Sequence, residues 1–547
     1  MSLKPEPMGP VPEETARLAK AVFPEGSTFI KMRDELGTLF QDEMFTALFP
    51  KDGQPALAPW RLALVTLMQF AEGLSDRQAA HAVRARLDWK YALGLELEDR
   101  GFDFSVLSEF RARLIAGNAE YLLFETMLTC LKQRGLIKAG GRQRTDATHV
   151  LAAVRAVNRV VCVGETMRAA LNTLAEVAPE WLRSFAPDEW YERYEHRVEE
   201  YRLPKEQAKR TALVETIGAD GYMLLDAIYS TPELHWLAHV RAVEILRRVW
   251  VQQFELIEGK PHFRANDNIP PPPKMICSPY DIEATYGRKL TTWWVGYKVH
   301  LTESCDEDSP RLITHVETSR AGNGDVDVTP VIHQALKEKD LLPTEHLTDT
   351  NYAEAKQFVQ SRQQYGIDLI APTRADHKWQ AKEPQGFDTS RFKIDWDAEK
   401  ATCPAGCESL SWTPAIDQYD NEVIKIKFSM KDCKPCPLKE HCTKAPRRAI
   451  SVRVKEHHLA LQEARARQKG AEFREKYRAR SGIEGTISQG VRAFGMRRSR
   501  YRGMEKTHLQ HLAIATVINL VRTLAWLDGK PLAKTRTSKF AALALVA

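Results

Sequence analysis

The feature that most constrains this chain is an order of strands that is interrupted, just after the first, by a long helical stretch. Residues 142–154, RQRTDATHVLAAV, follow Gly140 and Gly141 and are rich in β-branched side chains, which predicts a strand carrying Asp146. From about residue 156 to 258 the text is rich in Ala, Leu, Glu, Arg and Trp, with an acidic cluster between Glu189 and Glu200, and reads as helix. Pro270 to Pro273 then break it like a linker. Beyond the break, Trp293 to Thr302 (WWVGYKVHLT) and Arg311 to Thr318 predict two strands, Val326 to Glu338 a helix, and a short strand ends at Asp349. Ala353 to Arg362 reads as helix and Ile367 to Pro372 as a fifth strand. The order is β-β-β-α-β with a helical insert after the first strand, an α/β core of mixed sheet and flanking helices.

Several classes are excluded early. With 547 residues, 43% apolar and 27% charged, the chain can bury a sizeable core, which excludes disorder as its main state. Its longest apolar runs, such as Leu512 to Leu520, are soon followed by charge at Arg522, far short of a membrane span of about 20 residues. The start, MSLKPEPMGPVPEE, lacks the apolar region of a secretion signal, so the expectation is a cytoplasmic protein with no membrane partner.

Charge is regional. The chain carries 78 Lys and Arg against 72 Asp and Glu, a net of +6, but Lys444 to Lys506 holds 18 basic residues against six Glu, or +12 in 63 residues. The rest sums to about −6 by difference. In Phe494-Gly-Met-Arg-Arg-Ser-Arg-Tyr-Arg-Gly503 the arginines are interleaved with aromatic residues and glycine, unlike a uniformly solvated face. Such a concentrated positive segment suits phosphates, whose neutralisation releases condensed counterions, and double-stranded DNA becomes the leading partner.

Near the N-terminus, residues 1–28 are Pro-rich and read as a flexible arm. From Pro59, Leu62, Val65 and Met68 recur at helical spacing, Gly73 breaks the run, and Ser75 can cap Asp76 to Arg86. This is helix, turn, helix. Trp89 to Leu95 and Ser105 to Ile115 continue an all-helical unit, 29–138, with Arg77, Arg84, Arg86, Arg111 and Arg113 expected on its surface, a candidate DNA-binding domain.

Three acids stand in apolar or tightly turned settings: Asp146 within Thr145-Asp-Ala-Thr148, Asp349 within Leu347-Thr-Asp-Thr-Asn-Tyr352, and Glu484 within Ser481-Gly-Ile-Glu-Gly485. Carboxylates from separate elements can converge at strand ends to hold two Mg²⁺ ions and clamp a phosphodiester. Asp325 and Asp327, after the third strand, rank behind Asp349. Tyr477, Arg480 and Glu484 lie at i, i+3 and i+7 of a long basic helix expected from about His458 to Ile483, which would put them on one face. Gly482 and Gly485 weaken helix by roughly 1 kcal/mol each, so the segment is expected to close against something there.

The strings RTDATHVLAAV, LTDTNY, YRARSGIEGTISQGVRAFGMRRSRYRG and KTHLQHLAIATVINLVR, in this order, resemble the DDE transposases of bacterial insertion sequences, in the branch with a Cys-rich insert. The resemblance covers most of residues 30–527. It implies an RNase H-like core that cuts transposon ends and joins them to target DNA using Mg²⁺ (or Mn²⁺), with terminal inverted repeats and target DNA as partners and a homodimer in the synaptic complex. It implies a catalytic, metal-binding triad of Asp146, Asp349 and Glu484, with Tyr477 and Arg480 holding the DNA terminus. Related transposases often carry Lys seven residues after the glutamate, where this chain has Val491 beside Arg492. The DNA-binding candidates are Tyr477, Arg480, Arg492, Arg497, Arg498, Arg500, Arg502 and Lys506. In a bacterial cell such a protein is cytoplasmic and nucleoid-associated when bound to DNA.

Of nine cysteines, five crowd into CPAGC (Cys403, Cys407) and CKPCPLKEHC (Cys433, Cys436, Cys442). Thiolate pairs at such spacing can wrap tetrahedral Zn²⁺. Either Cys403 or Cys407, with the other three, would close a structural site, and His441 is a substitute ligand. The expected division is arm (1–28), N-terminal helices (29–138), first core strand (139–155), helical insert and Pro-rich linker (156–275), continued core (276–375), Cys-rich insert (376–456), core C-terminal helices with Glu484 (457–527) and tail (528–547). Two other functions fit the same residues: a metal-dependent nuclease without strand transfer, and a catalytically inactive DNA-binding protein acting as a repressor.

Overall fold

The computed structural model describes residues 2–5 and 8–531, so 532–547 of the expected tail lie outside the described residues. The central strand is β1 (Arg142–Leu151). The insert follows it and closes with a hairpin of β2 (Phe254–Ile257) and β3 (Lys260–Phe263), where helix alone was expected up to 258. Next come β4 (Thr285–Lys289), β5 (Thr292–Ser304), β6 (Ile313–Arg320), β7 (Glu345–Leu347) and β8 (Asp368–Ile370). The sheet order is β4-β5-β1-β7-β8, with β6 also on β5. β1, β5 and β6 are antiparallel neighbours, while β7 and β8 run parallel to β1. The expected strand order is present. β4 is an addition that the short, charged TYGRK run conceals; it pairs with the start of β5.

One core joins the sheet to the N-terminal helices. The C-terminal helix, Met504–Leu527, is buried almost all round from Thr507 to Leu520 and packs against β6 on one side and the helix Pro59–Glu72 on the other. Phe45, Trp89 and Phe110 therefore share an apolar cluster with Val316 and Ile514. A helix apolar on every face has to be covered on every face. The helical insert has its own core around Trp190, Leu246, Trp250 and Phe254. Its closeness explains Gly221, where an added Cβ would meet the Trp250 indole at 2.2 Å.

Two N-terminal expectations are corrected. The expected arm, 1–28, is not loose throughout: Glu13–Val22 is a helix begun after Pro12 with Glu13 and Glu14 in its first turn. Thr15 Oγ1 donates to the Leu95 carbonyl, and Ala19 packs with Ile30 and Tyr91. The arginines are also not all at the surface. Arg111 is buried against Asp76 at 2.5 Å with its guanidinium over Tyr501, because the basic C-terminal segment folds back onto these helices. Ser75 does cap its helix, in a box with Gln78.

The Cys-rich insert is a module of two small sheets, β9 (Lys393–Asp395) with β10 (Lys400–Thr402), and β11 (Ser409–Ile416), β12 (Glu422–Phe428) and β13 (Ala449–Arg453). The expected long basic helix is broken instead into Lys455–Gln468, Ala471–Arg478, a 3-10 turn Ala479–Gly482 and Ile483–Phe494. Gly470 caps the second piece, and the 3-10 turn falls where Gly482 admits the Arg144 guanidinium, which would stand 2.1 Å from an added Cβ.

Candidate active site

Asp146 lies midway along β1, opposite Leu301 of β5, and Asp349 lies two residues beyond β7. Both aspartates and Glu484, on the first turn of Ile483–Phe494, line one open cavity of about 700 Å³. Arg480 ties Asp146 to Glu484: Nη2 donates to Asp146 Oδ2 at 2.7 Å and Nη1 reaches Glu484 Oε1 at 3.4 Å. Its buried Nε has no hydrogen-bond partner among the described residues, so the guanidinium is not saturated. Burial raises the Asp146 carboxyl above the ordinary range, and Asp349 adds to this, while Arg480 opposes it.

Tyr477 is half-buried, stacked on Phe473 at 5.3 Å between ring centroids and packed with Leu347 and Ile370 at the ends of β7 and β8. Burial pushes its hydroxyl upward. Arg492 is exposed in the cavity wall beside Val491, and Arg497 is held there by a bond from Nε to Thr148 Oγ1 at 2.8 Å. Arg498 is exposed next to them. Arg500 is exposed too, but its guanidinium turns back onto the N-terminal helices: it lies over Phe70 and donates to the Leu74 carbonyl at 2.7 Å, pinning the turn between two of them. Arg502 and Lys506 line a second cavity of about 590 Å³, shared with the helical insert.

Sequence reasoning missed the groups beneath the site. Glu303 of β5 is fully buried between Arg144 at 2.6 Å and Arg522 at 2.9 Å, and accepts a bond from Thr486 Oγ1 at 2.5 Å. Arg144 also donates to the Ala479 carbonyl, so this cluster fixes both the 3-10 turn and the helix that bears Glu484. Tyr352, after Asp349, is buried and shares a 2.6 Å hydrogen bond with His300 Nδ1, whose Nε2 faces Ser319 at 2.9 Å. Burial takes His300 down to about 3, so it is neutral at physiological pH. Glu303 stands between Thr302 and Ser304 in the sequence, so no local signal set it apart from a solvated strand residue. Asp325 is not isolated either: it pairs with Lys298 at 2.5 Å in the same cavity wall, whereas Asp327 is exposed outside it.

Among the described residues, no three His, Cys, Asp or Glu side chains are already grouped tightly enough to hold an ion. At the acid site the reason is visible, since Arg480 stands between Asp146 and Glu484. The donors themselves, oxygen atoms of three carboxylates around an open cavity, fit a hard divalent cation such as Mg²⁺. The five cysteines of the insert line one narrow cavity of about 30 Å³, with Cys403, Cys433 and Cys442 also packed on the module core.

Residues 402–524, which include Tyr477, Arg480 and Glu484 but neither aspartate, match the family model described as a transposase DDE domain. Residues 19–113 match a second model, described as a transposase domain. No curated protein matches the chain. A transposase domain toward each end, around a mixed sheet of RNase H-like order, defines the class: a DDE transposase. The particular group that these domains support is the transposases of insertion sequences. No helix among the described residues is long and apolar enough to cross a membrane.

Proposed function

We propose that this transposase binds the ends of an insertion sequence, cleaves the phosphodiester there and joins the ends to target DNA, with Asp146, Asp349 and Glu484 as the residues that hold Mg²⁺ or Mn²⁺. The observation that carries the reading is the meeting of three carboxylates, from β1, the end of β7 and a helix more than 130 residues later, in one open cavity with basic walls. When bound, the ions supply Lewis-acid polarisation of the phosphoryl group and an activated water or 3′-hydroxyl.

The chain's own residues do the rest. Arg480 pairs with both Asp146 and Glu484 and so offsets the repulsion between acids gathered at one site. Its unsatisfied Nε is a free donor for a phosphate oxygen once the carboxylates are engaged elsewhere. Tyr477, stacked and held against the strand ends, offers its hydroxyl to the same terminus. Arg492, Arg497 and Arg498 continue a phosphate track from the cavity, and Arg502 and Lys506 extend it toward the insert. The N-terminal helices, through exposed Arg77 and Arg84, bind the DNA further from the cut. A homodimer would bring two ends together.

The test is Mg²⁺-dependent cleavage of a labelled fragment carrying the element's ends, with joining to a second duplex scored separately. Discrete cuts and joined products that vanish in Asp146→Asn and Glu484→Gln are expected. Full cutting by Glu484→Gln would overturn the triad, and cutting without joining would reduce the activity to that of a nuclease.

A further inference from the structure

The Cys-rich module is not absorbed by the DNA chemistry. Between β8 and the helix Lys455–Gln468 it folds into two small sheets whose core has seven buried apolar residues, among them Phe392, Ile426, Phe428 and Val452. A unit of this size rarely holds itself together by apolar burial alone, and natural examples add disulfides or a structural metal. All five cysteines are free thiols, and they come from two arms separated by the β11–β12 hairpin. One arm is the tight 403–407 turn, in which Cys403 N–H donates to the Cys407 carbonyl at 2.9 Å and Gly406 takes a φ of +84°. The other runs through two short helical turns, Met430–Cys433 and Lys439–Cys442.

The arms face one cavity of about 30 Å³, room for a single small ion and not for an organic ligand. Within it the thiols are not equivalent. Cys442 interacts with Cys433, Cys403 and Cys436, whereas Cys407 interacts with Cys403, to which it is hydrogen-bonded, and with Cys436 and the Asp432 carboxylate. Cys403, Cys433 and Cys442 pack on the module core, and Cys407 and Cys436 do not. Arg448, buried beside them, supplies the outer support that metal thiolates use: its backbone N–H donates to Cys433 Sγ at 3.5 Å, and its guanidinium holds the Cys442 and Phe387 carbonyls at 3.0 Å each.

We infer that Cys403, Cys433, Cys436 and Cys442 bind one Zn²⁺ in a closed tetrahedral site that clamps the two arms of the module, and that Cys407 is the cysteine left out. Binding releases the thiol protons to solvent and draws the arms in to Zn–S distances of about 2.3 Å. Four protein ligands leave no open position, so this metal shapes the module and takes no part in DNA cleavage. The soft thiolate set also separates it from the carboxylate site, which suits Mg²⁺.

The test uses the full chain purified with reductant, read by elemental analysis and by iodoacetamide labelling of each cysteine before and after removal of metal with a zinc chelator. About one zinc per chain is expected, with Cys403, Cys433, Cys436 and Cys442 protected until chelation and Cys407 labelled from the start. Cys407→Ser is expected to keep its zinc and Cys436→Ser to lose about nine-tenths of it. Absence of zinc, a mass two units low from a disulfide, equal labelling of all five thiols before chelation, or loss of zinc in Cys407→Ser would each overturn the assignment. Should Cys436→Ser fail to fold, the labelling of the natural chain still decides. Neither readout depends on DNA cleavage, so the zinc site and the catalytic reading stand or fall separately.

Discussion

Two arginine–carboxylate clusters lie one above the other in this molecule, and they do opposite things. Below, Glu303 is wholly buried, and Arg144, Arg522 and Thr486 take up both of its oxygens. Above, Arg480 spans Asp146 and a Glu484 side chain that is 66% exposed, and it keeps one donor unused. The chemistry of the pairs is the same. What differs is closure: a pair buried on both sides cannot exchange partners without stranding a charge, whereas an open one can release its arginine to a phosphate and its carboxylates to a cation. The lower cluster therefore fixes the segment Ala479–Thr486, and the upper one uses that fixed segment for chemistry.

The largest effect that sharpens this contrast is catalytic. Asp146→Asn and Glu484→Gln are each expected to lower Mg²⁺-dependent end cleavage at least about a thousandfold, some 4 kcal/mol of transition-state stabilisation, with the unfolding midpoint nearly unchanged. Cleavage kinetics and thermal unfolding on the same preparations check it; a large fall in stability would make the upper cluster structural as well. The second effect is on folding. Glu303→Gln leaves two buried arginines facing a neutral amide and is expected to cost about 3–5 kcal/mol in denaturant unfolding. A loss below about 1 kcal/mol would break the distinction between the two clusters.

Much of the upper cluster was legible in sequence, and none of the lower. Asp146 and Asp349 stand out because each sits at a strand whose neighbours are apolar or β-branched, and the strand order alone puts β1 beside β7. Tyr477, Arg480 and Glu484 were read as one face of a continuous helix. The 3-10 turn Ala479–Gly482 changes the local winding, and yet Arg480 still reaches both acids. Glu303 stayed hidden because its partners are 159 and 219 residues away, and only tertiary packing tells a buried strand glutamate from a solvated one. The same holds for Arg111, whose partner Tyr501 belongs to the far end of the chain. The first 28 residues misled for a different reason: their prolines lie before or after the helix Glu13–Val22 and none within it, and composition alone does not show position.

A neutral buried group near Asp349 offers a third, smaller comparison. His300 is held down to about 3 by burial between Tyr352 and Ser319, whereas an unfolded histidine titrates near 6.5. Its folded value is depressed, so above about pH 6.5 both states are neutral and it has no effect on pH dependence. As pH falls below that, the unfolded chain takes up a proton that the folded chain refuses, and stability is lost by about 1.4 kcal/mol per pH unit for this one group. His300→Gln is expected to make the fall in stability between pH 6 and pH 4 shallower by about one proton, as measured by denaturant unfolding across that range. An unchanged slope would mean that His300 is protonated in the folded state and that the group bonded to Tyr352 carries charge.

The smallest effect concerns the arginines outside both clusters. Arg498 is exposed beside Arg497, with no carboxylate among the described residues paired to it, so its contribution to DNA binding should be that of one phosphate contact. Arg498→Gln is expected to weaken binding only a few-fold, equally on end and unrelated sequences, and to lower the slope of log affinity against log salt by about 0.9. Arg500→Gln makes the contrast, since that guanidinium is committed to Phe70 and the Leu74 carbonyl: it should lower stability and leave the salt slope where it was. If the two variants exchanged these signatures, the arginine turned onto the N-terminal helices would be the phosphate contact, and closure of a basic group by its protein neighbours would no longer predict which role it plays.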